Sequence, residues 1–361
     1  MGSQSSDGLK MHSASPPFAH SSGPRDAKIA IVGEAWGDQE ALIGKPFQGY
    51  SGQELTRMLQ EAGIARRDCF LTNVLALKPP QNDLTALCCK KAEVGPDYAL
   101  PHLGKVGQYL RPEFLPELDR LRTELAEVRP NVVLALGATA CWALLQTNGI
   151  GALRGTVATS SLLDIKVLPT YHPSGVLRNW AWRPIAIADL MKAKRESAFP
   201  EVKRPRRFIL VNPTIQECWD WIKTHLSTEC SCDIETKYGM IEMIGFSASA
   251  EHAMVVPFWD RAKGGNYWSS PNLERDARSV VRHILENPQI TKIFQNGCYD
   301  IQYLLKEGYR PRGCNEDTML YHHALFPEMQ KGLGFLGSIY TNEVSWKMMR
   351  GKQVTEMKKD D

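Results

Sequence analysis

The stretch CDIETKYGM sets Asp233 and Glu235 two positions apart in an apolar run. In a strand, side chains at i and i+2 share a face, so the two carboxylates converge. Like charges that close repel unless a cation sits between them. Oxygen-only donors suit Mg²⁺ or Mn²⁺, and a pair of such ions can clamp the attacking and leaving oxygens of a phosphodiester. Asp300 in FQNGCYDIQYLL, four residues after Asn296, opens an apolar helix behind a strand, and Asp317 in EDTMLYHHALF precedes another. Either aspartate alone is equally accounted for as a helix cap.

The elements around these residues follow from periodicity. A chain of 361 residues with 43% hydrophobic content is long enough for two cores. Residues 1–25 are rich in Ser, Gly and Pro without an apolar face and are expected to be disordered. From KIAIVGE onward, strand-like runs (DCFLTNVLAL, NVVLALG) alternate with helical ones (GQELTRMLQEAGI, FLPELDRLRTELAEV), so residues 26–196 are expected to form an α/β sheet covered by helices. Residues 197–206 read as a basic, proline-broken linker, and residues 207–361 as a second domain with a mixed sheet. The net charge of +3, from 43 basic and 40 acidic residues, means that a nucleic-acid partner must be met by local patches. Nine cysteines form no C-x-x-C pair and read as reduced thiols, and no apolar stretch reaches membrane-spanning length. Together these lead to the expectation of a soluble protein of the cytoplasm.

Over residues 206–345 the order of motifs resembles the proofreading 3'-5' exonuclease domain of family A DNA polymerases, a ribonuclease H-like fold. The matching pieces are D-I-E at 233–235, N-x-x-x-D at 296–300 and DTMLYHHALFPEMQKGLGFLGSIYT at 317–341. The resemblance implies that Asp233, Glu235 and Asp300 are catalytic metal ligands for Mg²⁺ or Mn²⁺. That family completes its site with a Y-x-x-x-D further downstream. After Tyr340 this chain offers only TNEVSWKMMRGKQVTEMKKDD, with no tyrosine four places before an aspartate. The exonuclease fold is therefore expected to be incomplete.

The first half is similar to the uracil-DNA glycosylase superfamily, nearest its family 4 and 5 branches. The residues that carry this are GEAWGDQE, GKPFQG, TNV and HPS, in that order over residues 27–196. A three-layer α/β/α sheet is implied, with a pocket lined by Glu34, Glu40, Phe47, Asn73 and His172. Phe47 would stack on an everted base, Glu34 would line the base site, and the Asn73 amide would match the O4 and N3–H edge of uracil. Glu40 would orient water and stabilise charge on the sugar, and His172 would hydrogen-bond the O2 of the departing anion. Singly, Phe47 also reads as core, Asn73 as a strand-end turn residue and His172 as a loop histidine held by backbone. Trp36 stands where the family has proline, and Leu77 where a cysteine ligand of its iron–sulfur cluster would be, so no iron–sulfur cluster is expected.

Together these resemblances imply a phage-type DNA-processing protein that combines base excision with an exonuclease module. Its partners would be DNA and a DNA polymerase encoded in the same or a neighbouring chain. The alternative is a non-catalytic DNA- or polymerase-binding module that keeps both folds.

Overall fold

The computed structural model describes residues 15–103, 107–160 and 163–343. It divides into two units, one made of residues up to Lys203 together with the chain from Gly334, the other running from Arg204 to Leu333.

The first unit is built on strands β1 (Ile29–Gly33), β2 (Cys69–Asn73), β3 (Val132–Leu136), β4 (Ala158–Thr159) and β5 (Lys166–Thr170), in the order β2-β1-β3-β5-β4. All neighbours are parallel except the short edge strand β4. IAIVG and VVLAL are apolar throughout because both faces of this sheet are covered. Ile29 and Ile31 pack with Leu55, Met58 and Leu59 of α2 (Tyr50–Glu61) and with Ala186 and Leu190 of the long helix Arg183–Glu196. Ala30 and Val32 pack on the opposite face with Leu118, Leu121 and Leu125 of α3 (Pro116–Val128) and Trp142 of α4 (Gly137–Leu145). Leu77 and Leu84 lie against this second cluster beside Cys88.

Part of the segment expected to be disordered is held against this unit. Leu71 N–H donates to Ser22 O at 2.7 Å and Ser22 N–H returns to Leu71 O at 3.0 Å, so residue 22 occupies the open edge of β2. Phe18 meets Phe70 edge-on at 5.9 Å, and its N–H donates to the buried Glu124 carboxylate at 3.0 Å. One aromatic anchor and one unpaired strand edge outweigh a composition that reads as disordered. The remainder of that segment, residues 1–14, lies outside the described residues.

The second unit contains β6 (Phe208–Leu210), β7 (Glu229–Lys237), β8 (Met240–Ser247), β9 (His252–Pro257), β10 (Thr291–Phe294) and β11 (Glu316–Asp317), in the order β11-β10-β7-β8-β9-β6. β7, β8 and β9 form an antiparallel meander, while β10 runs parallel to β7 and β11 parallel to β10. Cys230, Cys232 and Ile234 of β7 face the core, and Ser231, Asp233 and Glu235 alternate outward. On the helix Pro271–Leu285, residues Ala277, Val280, Val281, Ile284 and Leu285 are buried at helical spacing.

Two boundaries of the compact units lie elsewhere than the expected ones. Residues 197–203, taken as linker, stay with the first unit: the buried Lys166 ammonium donates to Phe199 O at 2.8 Å and Glu201 O at 3.0 Å. Residues 334–343, expected within the second domain, belong to the first unit and include most of the helix Leu333–Tyr340. Among the described residues no helix is long and apolar enough to cross a membrane.

Candidate active site

Glu34, Asn73 and His172 lie at or just beyond the carboxyl ends of parallel strands, where open α/β sheets hold their ligands, and Phe47 lies in the loop between helices at 38–43 and 50–61. Gly33 ends β1 directly opposite Asn73, which ends β2. Glu34 follows β1, and His172 lies two residues beyond β5. Glu34, Glu40, Phe47, Asn73 and His172 line one cavity of about 550 Å³.

Phe47 is 5% exposed and adopts φ +57, a left-handed backbone costly for a bulky residue. The neighbouring groups hold it there. Arg66 donates from Nη2 to Phe47 O at 2.7 Å and from Nη1 to Gly52 O at 2.9 Å. Glu40 lies in helix α1 (Asp38–Ile43), and its Oε1 accepts the next two backbone N–H groups, Gln48 at 2.7 Å and Gly49 at 3.0 Å. Its Oε2 accepts from Gly37 N–H at 3.1 Å. Expected to orient water, Glu40 therefore also ties the loop carrying Phe47 to the Gly37 turn, with its charge on the pocket wall.

Asn73 is 3% exposed, and its backbone is gripped from α3. Arg120 donates to Asn73 O at 2.6 Å and Val74 O at 3.1 Å. The guanidinium lies between Glu117 and Glu124, both 2.9 Å away and fully buried. Glu124 also accepts from Thr72 Oγ1 at 2.7 Å and Glu117 from Ala76 N–H at 2.8 Å. A buried cation between two anions with every donor occupied is a rigid support. A Cβ at Gly33 would lie 2.3 Å from Asn73 Oδ1 and 2.7 Å from Phe47 Cζ, so this position must be glycine.

His172 caps helix α5 (Pro173–Arg178), its Nδ1 accepting from Ser174 N–H at 3.2 Å with Ser174 Oγ at 2.8 Å. Because Nδ1 accepts a backbone N–H, the neutral ring carries its proton on Nε2. Burial holds the imidazole down to about 4, helped by Arg178 and opposed by Glu40, so the neutral form persists at physiological pH. The Phe47 and His172 rings lie 6.3 Å apart, and Tyr171 stacks on Trp182 at 4.3 Å behind them. Glu34 accepts from Thr139 Oγ1 at 2.5 Å.

The second unit departs from expectation. β10 pairs with β7 only as far as Ser231, so the Ile234 N–H on that side has no strand partner. Asp300, 4% exposed on the helix Gly297–Lys306, accepts it at 3.0 Å. Burial pushes the Asp300 carboxyl up to about 6, opposed by the Ile234 N–H and reinforced by the charge of Asp233. Glu235 stands close enough to Arg261 to favour its charged form, secondary to Glu242. Asp233, Glu235 and Asp300 were expected to hold a metal ion, but among the described residues no group of three or more His, Cys, Asp or Glu side chains is placed to hold one. Asp300 is turned inward to serve the β7 backbone. Asp317 caps the helix Thr318–Leu325, accepting from Met319 N–H at 2.8 Å, and also takes Gly297 N–H at 2.8 Å. Cys88 and Cys89 are adjacent, Cys88 buried and Cys89 half-buried, and neither is in a disulfide.

Arg66, Arg120 and Thr139 were not singled out in the sequence, and Ser174 was met only as part of the HPS motif. Ser174 alone had a signal, standing two residues after His172 at the start of a proline-opened helix.

The uracil DNA glycosylase superfamily is matched over residues 20–200. The chain is 34% identical over 176 residues to the type-4 uracil-DNA glycosylase of Thermotoga maritima, which covers 48% of this chain and 79% of that protein. It is 31% identical over 179 residues to the type-4 enzyme of Saccharolobus solfataricus, with 48% and 72% covered. The corresponding figures for Archaeoglobus fulgidus are 31% over 174 residues, 46% and 75%. A pocket built at the strand ends of β1, β2 and β5, within a region matched from residue 20 to 200, shows that the chain belongs to the uracil DNA glycosylase superfamily.

Proposed function

We propose that the first unit hydrolyses the N-glycosidic bond of deoxyuridine in DNA. The observation that carries this reading is the convergence of Phe47, Asn73 and His172 on one cavity, with the backbones of Phe47 and Asn73 held by buried or half-buried guanidinium groups. A base inside a stacked duplex cannot reach such a site, so it enters everted and lies against Phe47. The Asn73 amide accepts from uracil N3–H and donates to O4. Cytosine reverses that pattern and leaves buried groups unpaired, which discriminates strongly. As the bond to the sugar breaks, negative charge grows on the base, and the neutral His172 donates its Nε2–H to O2. The Glu40 carboxylate, held on the cavity wall by three backbone N–H groups, is a fixed negative charge facing the sugar cation. The test is incubation with matched oligonucleotides carrying one uracil or one cytosine. The reading requires free uracil and an abasic site from the first and nothing from the second; release from neither would reject it.

A second reading concerns the other unit. The order β11-β10-β7-β8-β9, with an antiparallel meander followed by two parallel strands, supports a ribonuclease H-like sheet that binds a DNA strand. Metal-assisted trimming of 3' ends is the stronger form of this reading, and the inward commitment of Asp300 argues for strand binding without it. Shortening of a 5'-labelled oligonucleotide that requires Mg²⁺ and vanishes in Asp233→Ala would establish the nuclease; intact oligonucleotide with retained binding supports the binding module.

A further inference from the structure

The base-excision unit is not confined to its family-matched segment. From Gly334 the chain rejoins it, and Ser338 is 7% exposed there. The site it enters contains three charged side chains at 2% exposure or less: Arg154, Asp189 and Lys192. One carboxylate cannot neutralise two cations, and the returning segment supplies the missing acceptors. Lys192 Nζ donates to Gly155 O at 2.7 Å, to Thr341 O at 2.7 Å and to Ser338 O. Two of its three acceptors thus come from the segment. Arg154 Nη1 donates to Ser338 Oγ at 2.9 Å, and its guanidinium lies 5.1 Å from the centre of the Phe335 ring. Asn342 Nδ2 donates to Glu196 at 2.7 Å. A Cβ at Gly155 would stand 2.6 Å from Ser338 O, so residue 155 is cut to fit this strap.

The cluster reaches the base pocket at both ends. Arg154 directly follows the helical turn Ile150–Leu153, whose Ile150 lines the cavity. Asp189 accepts from Arg154 Nε at 3.1 Å and Nη2 at 2.6 Å, and from Thr170 Oγ1 at 2.8 Å. Thr170 is the last residue of β5, two before His172. Ser338, Arg154, Asp189 and Thr170 form an unbroken chain of hydrogen bonds from the strap to the strand that delivers the imidazole.

We infer that Ser338 is a positioning residue for base release, and that residues 334–342 are a working part of the glycosylase unit, holding the His172 loop through Arg154, Asp189 and Thr170. This rests on the proposed uracil-releasing reading. The full-length chain is compared with Ser338→Ala, Ser338→Thr and Thr170→Val by two measurements. One follows the His172 ring resonances by NMR, which needs no activity; the other is uracil release under saturating substrate, well below the melting temperature. Ser338→Ala and Thr170→Val shift the His172 resonances and lower kcat about tenfold with KM unchanged, and Ser338→Thr, which keeps the hydroxyl, restores both. Unmoved His172 resonances in the alanine variant overturn the inference, as does a kcat equal to that of the unaltered chain. Failure of the unaltered chain to release uracil would strike the parent reading instead, leaving the resonances to decide this one.

Discussion

Replacing Gly33 with alanine adds one methyl group at the point where β1, Asn73 and Phe47 meet. The new carbon would stand 2.7 Å from Phe47 Cζ and 2.3 Å from Asn73 Oδ1. Carbon atoms rest about 3.5–4.0 Å apart, so the Phe47 ring must retreat by about 1 Å. Phe47 cannot easily give way at its backbone, because Arg66 holds its carbonyl and Glu40 holds the next two N–H groups. Asn73 is equally restrained through Arg120. The strain should therefore appear as misplacement of the two side chains that meet the base. A displacement of about 1 Å in a positioning group costs roughly 10²-fold in rate, or about 2.7 kcal/mol of transition-state stabilisation. Overpacking should lower stability by about 1–3 kcal/mol. Single-turnover release of uracil from a labelled oligonucleotide, with a denaturant titration in parallel, separates the two effects. A Gly33→Ala variant that works at the unaltered rate would refute the claim that Phe47 and Asn73 form the base site.

Arg66→Ala removes the guanidinium that donates to Phe47 O and Gly52 O, and should slow release about 10- to 100-fold because hydrogen bonds to a charged group contribute about 1.5–3 kcal/mol; stopped-flow kinetics would check this. Asn73→Asp leaves an acceptor where uracil N3–H needs one but no donor for O4, so uracil release should fall by at least 10²-fold, measured as kcat/KM. His172 has its folded value lowered to about 4 from an ordinary value near 6.5, so its contribution to stability is present above about pH 6.5 and is lost as pH falls towards 4. The rate should accordingly show no break from this group between about pH 5 and 8, and a bell centred on pH 6.5 would contradict the neutral-imidazole assignment. Asp317→Ala strips the cap from the helix Thr318–Leu325 and should cost the second unit about 1–2 kcal/mol by hydrogen exchange, leaving uracil release unchanged.

Much of this was readable from side-chain periodicity. The inward run Cys230, Cys232, Ile234 and the outward Asp233 and Glu235 follow directly from alternation along a strand, and β7 shows that pattern. The motifs around Glu34, Asn73 and His172 fell at strand ends, Phe47 lies in the loop between α1 and α2, and one cavity gathers them. What escaped the sequence depends on which backbone groups lack partners. Asp300 turns inward because β10 stops pairing with β7 before Ile234, a register detail that no local pattern encodes. Ser22 lies on β2 because that strand is an edge, and strand order is not written in composition. Arg120, Glu117 and Glu124 sit at helical spacing like any solvent-facing charges, yet their face of α3 covers the end of β2. The return of residues 334–342 joins positions 184 apart in sequence, Arg154 and Ser338, through one hydrogen bond.

The central claim is that Phe47, Asn73 and His172 enclose an everted uracil, and a crystal structure of the chain with free uracil tests it most directly. The account predicts the ring against Phe47, its O4 and N3–H edge on the Asn73 amide and its O2 within hydrogen-bond reach of His172 Nε2. Uracil bound elsewhere, or seated with its O4 and N3–H edge turned away from Asn73, would contradict it.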